Sequence, residues 1–141
     1  MREKFLMVLR KFLKNRVLPL CEHPGYSFVH GEFTHVAIPP ADFVVASGSL
    51  SIGAPQNRYE YLSLYLKKMM SLAQKGIYLN YWEDDGEATP DVFLCYESQV
   101  VDLIIATLMK QHGFVRQHRQ EDLHTRPTGG FIHNHVFIQR Q

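Results

Sequence analysis

Gly129-Gly130-Phe131-Ile132-His133-Asn134-His135-Val136-Phe137-Ile138 closes the chain and sets how its sheet is read. Two glycines release the backbone from a turn, and an apolar run of period two follows. A strand sends successive side chains to opposite faces. Phe131, His133, His135 and Phe137 therefore share one face, and Ile132, Asn134, Val136 and Ile138 take the other. The plainer face suits a helix-covered core. The other carries rings and two ionisable groups, as on a sheet open on one side.

The same phase recurs upstream. Tyr26, Phe28 and His30 alternate with Ser27 and Val29. Phe33 and His35 alternate with Thr34, Val36 and Ile38. Tyr78, Asn80 and Trp82 alternate with Ile77, Leu79 and Tyr81, and Phe114, Arg116 and His118 continue the pattern. If the plainer residues all face helices, the open face gathers aromatics, histidines and an arginine. Such patches bind something.

Three amphipathic stretches supply the helices. Residues 2–18 place Phe5, Leu6, Val8, Leu9, Phe12, Leu13 and Val17 on one stripe opposite Lys4, Arg10, Lys11 and Lys14, and Pro19 ends them. Asn57 with Glu60 reads as a capping box for a helix to about Lys75, closed by Gly76. Ser98 opens a third, ended by Gly113.

The strands fall between them. A hairpin turns at Gly31 between 26–30 and 33–38, followed by a short strand at 42–46. A second hairpin pairs 77–82 with 92–96 through the acidic turn 83–87. A strand at 114–118, a polar loop from Arg119 to Gly130 and the closing strand complete the chain. Hairpins separated by single helices predict an α+β two-layer sandwich. Its sheet is mostly antiparallel, of six or seven strands, with three helices on one face, and residues 1–141 form one domain.

Composition narrows the function. Of 141 residues, 45% are hydrophobic and 21% charged, which suits a globular core. A formal net charge of +1 gives no global field for nucleic acid or membrane. Basic residues interrupt the apolar N-terminal stretch, so it reads as neither a signal peptide nor a membrane span. Cys21 and Cys95 form no disulfide framework, and the expectation is a reducing, cytoplasmic setting.

Three readings compete for the open face. The leading one is a small binding or regulatory protein, an inhibitor, adaptor or regulatory subunit. It would contact another protein or a second copy of itself through Phe28, His30, Phe33, His35, Trp82, Arg116, Phe131, His133 and His135, with the basic first helix as a further surface. That reading needs no cofactor. The alternative is a hydrolase or nuclease in which His35, His133 and His135 exchange protons at a phosphodiester, helped by Thr34, Arg116 or Asn134. In its zinc-dependent form the same three histidines ligate the metal and leave one position for water. Aromatics beside basic residues could also stack single-stranded nucleic acid, although the acidic turn breaks any continuous positive surface.

Several motifs exclude themselves. Two-histidine phosphoesterases carry a hydroxyl two residues after each histidine, and Ala37 and Phe137 stand there. The glycines between Ser47 and Gly53 fit neither a P-loop nor a dinucleotide fingerprint. The 83–87 acids lack the alternation of an EF-hand loop. Cys95 has no neighbouring base and reads as a buried small residue.

Overall fold

A computed structural model describes residues 5–8, 32–51, 57–83, 94–126 and 129–141. For 5–8, 124–126 and 129–131 the description is of the backbone. The elements, in chain order, are β1 (Phe5–Val8), β2 (Ala41–Ala46), α1 (Arg58–Leu72), β3 (Ala73–Glu83), β4 (Cys95–Tyr96), α2 (Ser98–His112), β5 (Arg116–Arg126) and β6 (Gly129–Gln139).

The strands form one mixed sheet in the order β1-β2-β3-β6-β5, with β4 also paired to β3. β1, β2, β3 and β4 run parallel to one another. β6 enters antiparallel between β3 and β5 and pairs with both. This overturns the expected mostly antiparallel sandwich with three helices: the described residues contain two helices, and much of the sheet is parallel. β1 lies inside the stretch read as the first helix. The rest of that stretch, and the strand expected at 26–30, lie outside the described residues.

Period alone caused several of these misreadings. Phe33–Val36 is a turn, closed by the N–H groups of His35 and Val36 on the Glu32 carbonyl at 3.0 Å each, and not a second hairpin strand. Cys95–Tyr96 pairs parallel with Trp82–Glu83, so it belongs to a crossover and not to a hairpin return. The polar run 119–126 is strand, because β6 offers it a full antiparallel ladder from Arg116↔Gln139 to Arg126↔Gly129. Polar composition had disguised an edge strand, where charged side chains are expected.

Gly76 is also not a helix terminator. α1 ends at Leu72 and β3 begins at once. Gly76 sits in the sheet, where a Cβ would lie 3.1 Å from the Ile138 carbonyl oxygen and 3.3 Å from the Phe43 ring. The residue is glycine because two strands and a ring close over it. Gly113 does end α2, in the left-handed conformation at φ 73°, as the sequence predicts.

The core lies between the sheet and the helix pair. Leu62, Tyr65, Leu66, Met69 and Met70 of α1 and Val101 and Ile105 of α2 meet Val44, Ala46, Ile77, Leu79, Tyr81, Val136 and Ile138. Most of these side chains are completely buried, and each aliphatic one stabilises the fold by about 1.5–3 kcal/mol. The Tyr and Met residues at helical spacing are core, as read from the sequence. On the opposite face stand Tyr78, Trp82, His133, His135 and Phe137, all partly exposed. Among the described residues no helix is long and apolar enough to cross a membrane.

Candidate functional site at the carboxyl edge of β2 and β3

In open sheets with parallel strands, ligands bind beyond the strands' carboxyl ends. β2 stops at Ala46, level with Leu79, while β3 runs on to Glu83. The turn Ser47-Gly48-Ser49 therefore meets the side of β3 at Asn80. The Gly48 N–H donates to Asn80 Oδ1 at 2.7 Å, and Asn80 Nδ2 donates to Ser47 Oγ at 3.2 Å. Gly48 needs its positive φ of 67° to make this turn. Tyr96 hydroxyl donates to the Leu50 carbonyl at 2.7 Å and fastens the loop from below.

From Asn80 a polar row runs across the face of the sheet opposite the described helices. Asn80 Nδ2 lies 3.5 Å from the Tyr78 hydroxyl, which meets His135 Nδ1 at 2.7 Å. His135 Nε2 lies 3.0 Å from Asp122 Oδ2 on β5. That is ion-pair distance but off the line of a regular hydrogen bond, so Nε2 makes none. The ladder explains the meeting: Asn80 pairs with His135, and Asp122 with the adjacent His133. Beside this row Trp82 and His133 stack, centroids 4.3 Å apart and planes 16° apart, and His133 lies 4.4 Å from His135.

A second polar group lies on the helix side. Arg119 reaches Asp102 of α2 at 2.9 Å and Glu121 at 3.4 Å. Burial pushes the Tyr81 hydroxyl's pKa above the usual tyrosine range, against the opposing pull of Ser98 and Arg119 nearby. Neither neighbour meets that hydroxyl at hydrogen-bond geometry, and Ser98 Oγ and Asn134 Oδ1 are likewise buried without partners. Asn134 Nδ2 donates to Glu83 Oε2 at 3.1 Å.

The residues singled out from sequence are thus divided. Trp82, His133 and His135 come together on one face. Arg116 is exposed on β5, in the same phase as His118. Phe33 is buried, its ring 4.6 Å from Tyr65 of α1. His35 occupies the neighbouring turn, which Lys68 of α1 holds through the Val36 carbonyl at 3.1 Å. The Phe33 ring and the Val36 carbonyl are thus held by α1, and His35, exposed in that turn, has its side-chain contact with Thr34 and not with the pair on β6. Phe28 and His30 lie outside the described residues, as does the Phe131 side chain. Among the described residues no group of three His, Cys, Asp or Glu is placed to hold a metal. Sequence reading missed Ser47, Gly48, Tyr78 and Asp122 as site residues. For Tyr78 the signal was present in its phase with Asn80 and Trp82.

No protein-family model and no curated protein matches the sequence. Solved structures do match the fold. Magnesium protoporphyrin IX methyltransferase from Synechocystis, with bound S-adenosylhomocysteine, is 14% identical over 91% of this chain at a TM-score of 0.59. A SAM-dependent methyltransferase from Methanosarcina mazei is 10% identical over 96% of this chain and 81% of its own, at 0.60. An N-methyltransferase from Bradyrhizobium japonicum, complexed with S-adenosyl-L-homocysteine, is 8% identical over 97% of this chain and 66% of its own, at 0.62. The chain spans 57% and 51% of two structures of the magnesium protoporphyrin enzyme, about half their length.

The fold is that of S-adenosylmethionine-dependent methyltransferases. This likeness overturns the expectation of a regulatory binder, inhibitor or adaptor, and equally that of a histidine hydrolase or nuclease.

Proposed function

We propose that the chain is a methyltransferase domain that uses S-adenosylmethionine and takes its methyl acceptor at the carboxyl edge of β2 and β3. One observation carries this reading. The chain matches the fold of methyltransferase structures over 91–97% of its length, at TM-scores of 0.59 to 0.62.

The edge residues fit such a cofactor chemically. No atom lies within 4 Å of where a Cβ on Gly48 would stand, so a ligand can approach the turn's backbone. The Glu83 carboxylate, held by Asn134 at the end of β3, suits the hydroxyls of a ribose. Ser47, Gly48 and Glu83 are the residues that would hold it. When bound, the group supplies a methyl carbon on a sulfonium sulfur, which leaves with the electron pair of the broken bond. The chain's task is to fix the acceptor near that carbon, and the Asn80 clamp keeps the turn in place without reorganisation.

Isothermal titration of the 141-residue chain with S-adenosylhomocysteine tests the reading. Saturable one-to-one binding, weakened by Glu83→Ala, is expected. A chain that is folded by circular dichroism yet shows no binding heat and no displacement by S-adenosylmethionine sinks the proposal.

A further inference from the structure

The hydrogen-bond directions at Tyr78 can be assigned without seeing a proton. A backbone N–H can only donate, so the 2.7 Å contact from Gly48 fixes Oδ1 as the Asn80 atom that faces it. Nδ2 then faces Ser47 and Tyr78, and an amide nitrogen only donates. The Tyr78 oxygen accepts from Asn80 and keeps a second lone pair, so that contact alone leaves the direction toward His135 open. The far nitrogen points the other way: His135 Nε2 faces the Asp122 carboxylate, which can only accept, at 3.0 Å, and this favours the proton on Nε2 and leaves Nδ1 to accept from the Tyr78 hydroxyl at 2.7 Å.

We infer that Tyr78 is a catalytic residue that accepts the proton of a phenolic methyl acceptor, with His135 and Asp122 as positioning residues behind it. The inference rests on the methyl-transfer reading. The acceptor's O–H donates to the Tyr78 oxygen. As the acceptor oxygen bonds the methyl carbon, the carbon–sulfur bond breaks with its pair on sulfur. The acceptor proton passes to the Tyr78 oxygen, and the Tyr78 proton passes to His135 Nδ1. The resulting imidazolium faces the Asp122 carboxylate, which balances its charge.

Two features select a phenol. A phenolic hydroxyl matches a tyrosine hydroxyl in acidity, so a proton moves between them with little cost, whereas an alkyl alcohol is a far weaker acid. The stacked rings of Trp82 and His133, with His135 4.4 Å from His133, form an aromatic surface next to the relay, suited to a planar acceptor.

The first test needs neither cofactor nor acceptor. Nitrogen-15 NMR of the imidazoles in the full chain is expected to show His135 as the Nε2–H tautomer with a hydrogen-bonded Nδ1. Tyr78→Phe should shift that Nδ1 signal alone. An Nδ1–H tautomer overturns the relay. The second test follows methylation of 4-methylphenol, whose hydroxyl matches tyrosine in acidity, in the presence of S-adenosylmethionine. Tyr78→Phe and His135→Gln should lower kcat by about 100- to 10,000-fold, while affinity for S-adenosylhomocysteine stays within about 2-fold. Asp122→Asn should lose less and alter the pH profile, and His118→Gln should match the unmodified chain. Cofactor binding without methylation of 4-methylphenol overturns the phenolic assignment, as does an unchanged kcat in Tyr78→Phe. Failure to bind the cofactor instead overturns the methyl-transfer reading itself.

Discussion

The backbone N–H of Gly48 donates to Oδ1 of Asn80 at 2.7 Å, tying the turn after β2 to the side of β3. Asn80 is buried but Gly48 is exposed, so water can take up the N–H that its removal strands. Asn80→Ala should cost about 0.5–1.5 kcal/mol, the net worth of a typical hydrogen bond. Urea unfolding measures it. Amide exchange at Gly48–Ser51 should accelerate more than exchange in β6, and uniform acceleration would contradict a local clamp.

Gly76 is the tightest described glycine, with a carbonyl oxygen and a ring in the way of any Cβ. Gly76→Ala should destabilise by about 1–3 kcal/mol through overpacking. Phe43→Leu in the same chain should recover part of that loss, because the Phe43 ring supplies two of the three close contacts. A double-mutant cycle decides; strict additivity would show that the clash lies with the Ile138 carbonyl alone.

Tyr81 is completely buried with no partner on its hydroxyl. Its folded pKa is raised above the ordinary 10.0, chiefly by burial. For a group raised on folding, the stabilising contribution is complete below the unfolded pKa and is lost as pH climbs through the folded one. Stability should therefore fall above pH 10, and Tyr81→Phe should flatten that decline. At pH 7 the same variant should change stability by less than about 1 kcal/mol, since no hydrogen bond is lost. Thermal unfolding across that range is the measurement, and an unaltered alkaline slope would refute the assignment.

Ile138 on β6 faces Ile77 on β3 at the centre of the core. It is fully buried, so Ile138→Ala should cost about 2–5 kcal/mol from lost transfer energy and the residual cavity. Phe137, its neighbour, is 41% exposed on the other face, and Phe137→Ala should cost much less. Comparable losses from the two would mean that the open face is packed in solution.

Within β3 and β6 the sequence by itself determined which residues share a face, whereas Phe33 and Phe114, read onto the open face, are buried in the core. Ile77, Leu79 and Tyr81 point inward and Tyr78 and Trp82 outward because a strand alternates strictly, whatever its neighbours. It also determined α1 and α2 closely, since the 3.6-residue stripe is local and Gly113 ends α2 by its own conformation. Strand direction and neighbour choice were not local. An alternating or apolar run looks the same whether its partner is parallel or antiparallel, so Cys95–Tyr96 read as a hairpin return, and β5 was lost in its own polarity. The site needed those choices. Tyr78, His135 and Asp122 come from three strands, and their meeting depends on β6 lying between β3 and β5. Sequence could place His133 and His135 on one face; only the tertiary pairing brought a hydroxyl and a carboxylate to the second of them, and left His35 in a turn held by α1.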